Sequence, residues 1–439
     1  MLKVLFKKLT NSKEGRNASW IIIGRIAHML LSFLVSIFTA RYLGPAYYGT
    51  INYATAYVVF FTALCTLGIN SVIIKDFADH PDEQGTALGT SILLRALSSF
   101  LSAVMIVGIV SIVDRGESVT VAVAALCSVA LVFRIFDTIN YWFQSRYQSK
   151  VTAIATLVAY FATSVYKIVL LALHKSVRWF AFASSVDYIV LALVLLYAYR
   201  RHDGPKLQFS WEKGKYLLSR SYHYILSGMM VAIYGQTDKL MLKQMLDETT
   251  VGYYSLASSI NYMWVFVLQA IIDSVYPTII SLYKSGDRRA FDRKNRQLYA
   301  IVIYVSLFVA VMFVLFGRFA ILLLYGSAYE AAARPLRIIT WYTTFSFLGV
   351  ARNAWIVCTD NQKYIKYMCF GAAVSNVFLN LCLIPVWGAS GAAFASLVTE
   401  ILVSTVLPCF IKDMRPNVKL MLEALLLKDV LPRKEGDAP

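Results

Sequence analysis

The stretch "LYAIVIYVSLFVAVMFVLFGRFAILLL", residues 298–324, runs for 27 residues with one charge, Arg318. A helix rises about 1.5 Å per residue, so about 20 apolar residues cross a hydrocarbon layer about 30 Å thick. This run is therefore read as a membrane-spanning helix. Eleven more runs of similar character lie near 18–40, 49–73, 88–112, 119–142, 152–173, 178–199, 216–242, 251–282, 335–357, 364–386 and 390–411. The composition agrees: 58% of the 439 residues are hydrophobic and 15% charged, with a mean hydropathy of +0.60. That balance lies well outside that of soluble globular domains.

Orientation follows from the basic residues, because short cytoplasmic loops collect Lys and Arg. Of 42 Lys and Arg, 27 fall on the side shared by the two termini and 8 on the opposite side. Both termini are thus expected in the cytoplasm. The net charge of +17 is an inside-facing anchor for anionic lipid rather than a nucleic-acid surface, and "KSGDRRAFDRKNRQ" (284–297) is read the same way. No small-residue cleavage site follows the first residues, so no removable signal peptide is expected. "LKVLFKKL" (2–9) and "VKLMLEALLLKDV" (418–430) mix Leu and Lys at helical spacing, as interfacial helices or as solvated tails. All six Cys lie in or at the end of apolar runs, so neither a disulfide framework nor a Cys metal site is expected.

The chain lacks a G-x-x-x-x-G-K-[ST] loop and an H-E-x-x-H helix, which excludes nucleotide hydrolysis and zincin chemistry; no cofactor, metal or nucleotide is expected. Outward loops are short, which argues against a membrane-embedded sugar polymerase. An internal repeat is visible. Gly49 of "YLGPAYYGTINYA" falls on Gly252 of "MLDETTVGYYSLA" at an offset of 203. Asn140 and Trp142 fall on Asn353 and Trp355 at 213, and "FAS" at 182–184 falls on 394–396 at 212. The expected fold class is an all-α integral membrane protein of about twelve helices in two six-helix bundles, related by a pseudo-two-fold along the membrane normal. The expected divisions are 1–17 (amphipathic), 18–199 (first bundle), 200–215 (basic linker), 216–411 (second bundle) and 412–439 (tail).

At "ARYLGPAYYG" (40–49), "FDTINYWFQSRYQ" (136–148), "IYGQTDKLMLKQMLDETTVGYYSLA" (233–257), "SVYPTIISLY" (274–283), "LLYGSAYEAAARPLRI" (323–338) and "NVFLNLCLIPVWGASGAAFASLVTE" (376–400), the chain resembles the Wzx-type flippases. These move lipid-linked oligosaccharides and belong to the multidrug, oligosaccharidyl-lipid and polysaccharide exporter superfamily. Ala46 and Lys243 depart from the commonest pattern. The resemblance implies a multi-pass protein of the bacterial inner membrane that carries a polyprenyl-pyrophosphate-linked sugar unit outward by alternating access. It also implies coupling to H⁺ or Na⁺ and a possible complex with a polysaccharide polymerase. A multidrug or cation extruder, a peptidoglycan-precursor flippase and a membrane sugar polymerase stand as alternatives.

Such a substrate needs cations in the membrane, because pyrophosphate and sugar hydroxyls cannot cross hydrocarbon unaided. Arg25, Arg95 and Arg352 are the first candidates for the headgroup, followed by Lys167. Arg134, three residues from Asp137, either joins them or neutralises that aspartate. Asp238, inside "IYGQTDKLML" (233–242), is the first candidate for ion coupling or gating, and Asp273 the second. Asp187 and Glu400, which occupy matching places in spans 6 and 12, are read either as further ion-coupling groups or as structure inherited by both halves.

Overall fold

A computed structural model describes the backbone of residues 13–428 and the side chains of residues 31–428 other than Ser71 and Ser227. The segment 2–9 lies outside the described residues. The chain divides into two compact units, Met1–Gln236 and Thr237–Pro439. The first contains α1 (Lys13–Thr66), α2 (Asn70–Asp79), α3 (Gln84–Val113), α4 (Ser118–Phe133), α5 (Asp137–Ser145), α6 (Ser149–Ala172), α7 (Val177–Arg201) and most of α8 (Trp211–Met245). The second contains the end of α8, then α9 (Glu248–Tyr262), α10 (Val265–Lys284), α11 (Arg288–Tyr325), α12 (Ala333–Ala351) and α13 (Asn353–Cys358). It closes with α14 (Ile365–Trp387), α15 (Ala389–Ile401), α16 (Leu407–Phe410) and α17 (Arg415–Leu425). No strand occurs among the described residues.

All twelve expected runs are largely helical, with turns at 67–69, 263–264 and Arg352. Among the described residues, eight helical stretches are long and apolar enough to cross a membrane: those of spans 3, 4, 5, 6, 8, 9, 11 and 12. Spans 1 and 2 share α1, span 7 lies in α8 and span 10 in α12 with α13. The turn between spans 1 and 2 is compressed into Gly44 (φ 71°, ψ 171°), after which Pro45 restarts the helix. Glycine accepts that φ, and proline suits a first helical position, where its missing N–H is not needed. The corresponding turn of the second unit is made differently. Asp247 caps α9, its Oδ1 accepting from the Thr250 amide at 2.7 Å.

The repeat expected from sequence reappears in the backbone. Left-handed residues stand at matched places: Gly116 and Gly326, Tyr147 and Asp360, His174 and Gly388. Around the middle pair the turn closes in the same way. Gln148 N donates to Phe143 O at 2.9 Å, and Asn361 N donates to Ile356 O at 3.0 Å. Trp142 and Trp355 are both buried. Spans 4 and 10 are both interrupted, at Arg134–Phe136 and at Arg352.

Residues 205–213, the end of the basic linker and the start of α8, do not run as a loose tether. Gln208 N donates to Gly85 O at 3.2 Å and Ser210 N to Thr90 Oγ1 at 3.0 Å. Gly85 and Gly89 make this docking possible, because a Cβ at either would lie 2.3 or 2.4 Å from the carbonyl oxygens of Lys206 and Gln208. Lys213 Nζ then pairs with Asp76 and Glu83, at 2.9 Å each. Burial works to lower the Lys213 pKa, but the two carboxylates outweigh it and hold the ammonium above its ordinary range.

In the second unit α17 is amphipathic, and it is docked. Val418, Met421 and Ala424 are buried, Asn417 Nδ2 donates to Tyr299 Oη at 2.6 Å, and Arg296 pairs with Glu423 at 2.7 Å. The apolar face expected to lie on lipid is largely spent on α11, and Leu422, Leu425 and Leu426 remain exposed.

Candidate functional site

Asp238 lies on the part of α8 that belongs to the second unit and is 5% exposed. Its Oδ1 accepts from Asn380 Nδ2 at 2.7 Å and Asn376 Nδ2 at 3.2 Å, and its Oδ2 accepts from Ser396 Oγ at 2.5 Å and from the Tyr254 hydroxyl. Three helices besides α8 supply these donors. Asn376 and Asn380 are four apart on α14 and so share one face. Ser396 reaches the same place because α14 turns directly into α15 at Gly388, whose φ is 56°. The two helices then pack closely at Gly391, where a Cβ would lie 2.2 Å from Leu383 O. Tyr254 comes from α9. A lone carboxylate in a span is costly, and charge-assisted hydrogen bonds offset that cost.

The cage is rich in oxygen. Besides the carboxylate it holds Ser396 Oγ, Tyr254 Oη and two amide oxygens, and Asn380 Oδ1 is buried without a protein partner. Rotating an Asn side-chain amide by half a turn exchanges its NH₂ for its oxygen, so the site can present either donors or acceptors inward. The carboxylate and these neutral oxygens suit a monovalent cation, with the Lys239 ammonium, the next residue along α8, within electrostatic reach of the carboxylate. Among the described residues there is no group of three or more His, Cys, Asp or Glu able to hold a metal ion.

The first unit carries a different arrangement. Arg134 sits at the interruption of span 4, its side chain 30% exposed, with Nε 3.5 Å from Asp137 Oδ2 and Nη1 donating to Thr62 Oγ1 at 3.2 Å. Its guanidinium lies over the Tyr188 ring at 5.3 Å. Asp187, next along α7, accepts from Thr163 Oγ1 at 3.3 Å and is within electrostatic reach of both Lys167 and Asp137. The structure thus brings Arg134, Asp137, Lys167 and Asp187 together, all of them partly exposed.

Arg95 and Arg352 are placed otherwise. Arg95 is 1% exposed; Nη1 donates to Thr138 Oγ1 at 2.6 Å and Nη2 to the Arg134 carbonyl at 3.0 Å. It ties α3 to the broken turn of span 4. Arg352 is 4% exposed and donates to Ser404 O at 3.0 Å and Val403 O at 3.4 Å. Those carbonyls belong to the wide π-helical turn Leu402–Val406, where the regular hydrogen-bond ladder is shifted. Both guanidiniums are committed to backbone carbonyls at helix irregularities. Glu400 is buried within electrostatic reach of Arg352. Asp273 is exposed on α10 and accepts from Gln269 Nε2 at 2.8 Å. The Arg25 side chain lies outside the described residues.

Sequence reasoning named Asp238 and missed the residues that hold it. One signal was present: Asn376 and Asn380 stand at helical spacing in an otherwise apolar span, and two amides on one face of such a helix need a polar partner.

Comparison with known proteins adds a separate line of support. The family model described as polysaccharide biosynthesis protein matches residues 15–283, and the MatE model matches 224–382. A putative O-antigen transporter of Escherichia coli (strain K12) is 20% identical over 414 residues, covering 91% of this chain and 96% of its own. The capsular polysaccharide biosynthesis protein CapF of Staphylococcus aureus is 18% identical over 396 residues, covering 88% and 96%. Among solved structures, the lipid II flippase MurJ in an inward closed conformation aligns with a TM-score of 0.72 at 15% identity, over 94% of this chain and 93% of that one. An inward-facing multidrug resistance MATE family transporter of the MOP superfamily aligns at 0.69 and 13% identity, over 90% and 95%.

Proposed function

The chain belongs to the polysaccharide biosynthesis protein family, and from that premise we propose that it carries a polyprenyl-pyrophosphate-linked oligosaccharide from the cytoplasmic to the outer leaflet, driven by a monovalent cation that binds at Asp238. It is a multi-pass membrane transporter of the exporter superfamily, not an enzyme.

The observation that carries the substrate reading is the partly exposed guanidinium of Arg134 within span 4, oriented by Asp137, Thr62 and Tyr188 rather than buried like Arg95. An accessible cation at that depth is costly against lipid and is tolerated where it borders water or an anion. A guanidinium has five N–H donors and matches phosphate oxygens in pairs. A pyrophosphate displacing Asp137 would keep the guanidinium neutralised, and Lys167 and Arg25 are the next candidates to hold it. The cation at Asp238 is the driving partner. The carboxylate and Ser396 Oγ already converge there, and the Asn376 and Asn380 amides can supply carbonyl oxygens.

The test uses proteoliposomes loaded with a polyprenyl-pyrophosphate-linked oligosaccharide, with lectin accessibility in the receiving leaflet as readout. Flux should require a H⁺ or Na⁺ gradient and should fall at least tenfold in Arg134→Ala. Efflux of cationic dyes with no lipid movement would overturn this reading in favour of a drug extruder.

A further inference from the structure

The packed helices α9 and α12 of the second unit carry buried polar atoms that the Asp238 cage does not use, and Asn261 and Thr343 meet at their seam. Ser255 and Asn261 on α9 and Thr340 on α12 are at most 1% exposed. The oxygens Ser255 Oγ, Asn261 Oδ1, Thr340 Oγ1 and Thr344 Oγ1 are buried with no protein hydrogen-bond partner. One bond joins the two rows, Asn261 Nδ2 to Thr343 Oγ1 at 2.7 Å. The two helices pack directly.

The seam is continuous with the cage. Tyr254, which donates to Asp238, stands seven residues before Asn261, so both project from the same face of α9 about 10 Å apart along its axis. Thr340 and Thr344 are one turn apart on α12. Ala257, fully buried, lies between Tyr254 and Asn261 and keeps the gap narrow but unfilled by a long side chain. Orphaned atoms stand at both limits. Asn380 Oδ1 is in the cage, and Trp264 Nε1 is at the break between α9 and α10, near the middle of span 8.

Buried hydroxyls and amides without partners are costly, and a helix seam packs as well with Ala or Val at such places. Polar atoms spaced along one seam are what ordered water needs, since a buried water is held by two to four polar partners. We propose that a file of ordered waters occupies the α9/α12 seam, from the Asp238 cage to the break at Met263–Trp264, and that the cation exchanges with Asp238 through it. The inference rests on the reading of Asp238 as a cation site. Ser255 and Thr340 oxygens would replace hydration shed by an ion approaching the carboxylate.

The experiment compares the full-length protein with Ser255→Ala/Thr340→Val/Thr344→Val, which removes three hydroxyls at nearly constant shape. X-ray hydroxyl-radical footprinting modifies side chains adjacent to bound water and should label Tyr262 and Met263 in the wild type. The triple variant should lose that labelling at least fivefold, and its exchange of the driving ion (radioactive Na⁺, or H⁺ by an internal pH dye) should slow at least tenfold. Thr344→Ser, which keeps the hydroxyl, should stay within twofold of wild type and guards against a folding failure. Unchanged labelling or unchanged exchange in a folded triple variant overturns the water file. Retained labelling in a wild-type protein whose flux ignores both ions overturns the Asp238 reading instead, and the link to ion exchange with it.

Discussion

Asp238 and Asn380 are 142 residues apart in the chain, yet the amide of one donates to the carboxylate of the other at 2.7 Å in a site buried from solvent. This carboxylate in an apolar run is held by a hydrogen-bonded cage, with the neighbouring Lys239 within electrostatic reach.

Replacing Asp238 with Asn keeps the shape and removes the charge. Tyr254, Ser396, Asn376 and Asn380 would then face an amide that accepts at one atom. Hydrogen bonds to a charged group contribute about 1.5–3 kcal/mol, so a loss of about 3 kcal/mol is expected. Thermal unfolding in detergent with and without Na⁺ checks this. The variant should melt lower, its midpoint should no longer respond to Na⁺, and gradient-driven flux should vanish.

Arg95 and Arg134 should separate structure from transport. Arg95→Met leaves the Arg134 carbonyl and Thr138 hydroxyl buried without their donor, at a cost of about 1–3 kcal/mol for each. Yield and melting temperature should fall, and the flux per folded molecule should persist. Arg134→Ala should fold with nearly native stability and lose flux. Size-exclusion profiles with lectin-accessibility rates distinguish the two.

Gly89→Ala should loosen the linker. The new Cβ would lie 2.4 Å from Gln208 O and 2.8 Å from Gln208 N, so the docked segment must shift, at a cost of about 1–3 kcal/mol. Limited trypsin digestion should cut after Lys206 several-fold faster than in the wild type, while Gly108→Ala, where the added Cβ meets nothing within 4 Å, should leave the rate unchanged.

Asn417→Leu should weaken the docking of α17 by about 1–2 kcal/mol, because the buried Tyr299 hydroxyl loses its partner. Hydrogen exchange followed by mass spectrometry should report faster exchange over 415–425 with little change elsewhere. Equal protection in both proteins would show that the apolar face alone holds the helix.

The amino-acid sequence by itself determined the solvent, the positions of the helices and the repeat. Each of these is a property of residues close in the chain. Hydropathy sums over about 20 neighbours, and the turn made by Tyr147 and Asp360 is encoded in the local segments matched at an offset of 213. The sequence also exposed Asp238 as an anomaly. It ranked Arg95 and Arg352 ahead of Arg134 as headgroup candidates, although the three look alike in their apolar surroundings. Tertiary structure decided that two of them tie broken helices together and that the third stays accessible, because an arginine's role depends on which carbonyls and hydroxyls reach its guanidinium. Those partners lie 39 residues away for Arg95, 52 for Arg352 and 72 for Arg134. At such separations packing, not periodicity, sets the neighbours, and the same holds for the four side chains that close around Asp238.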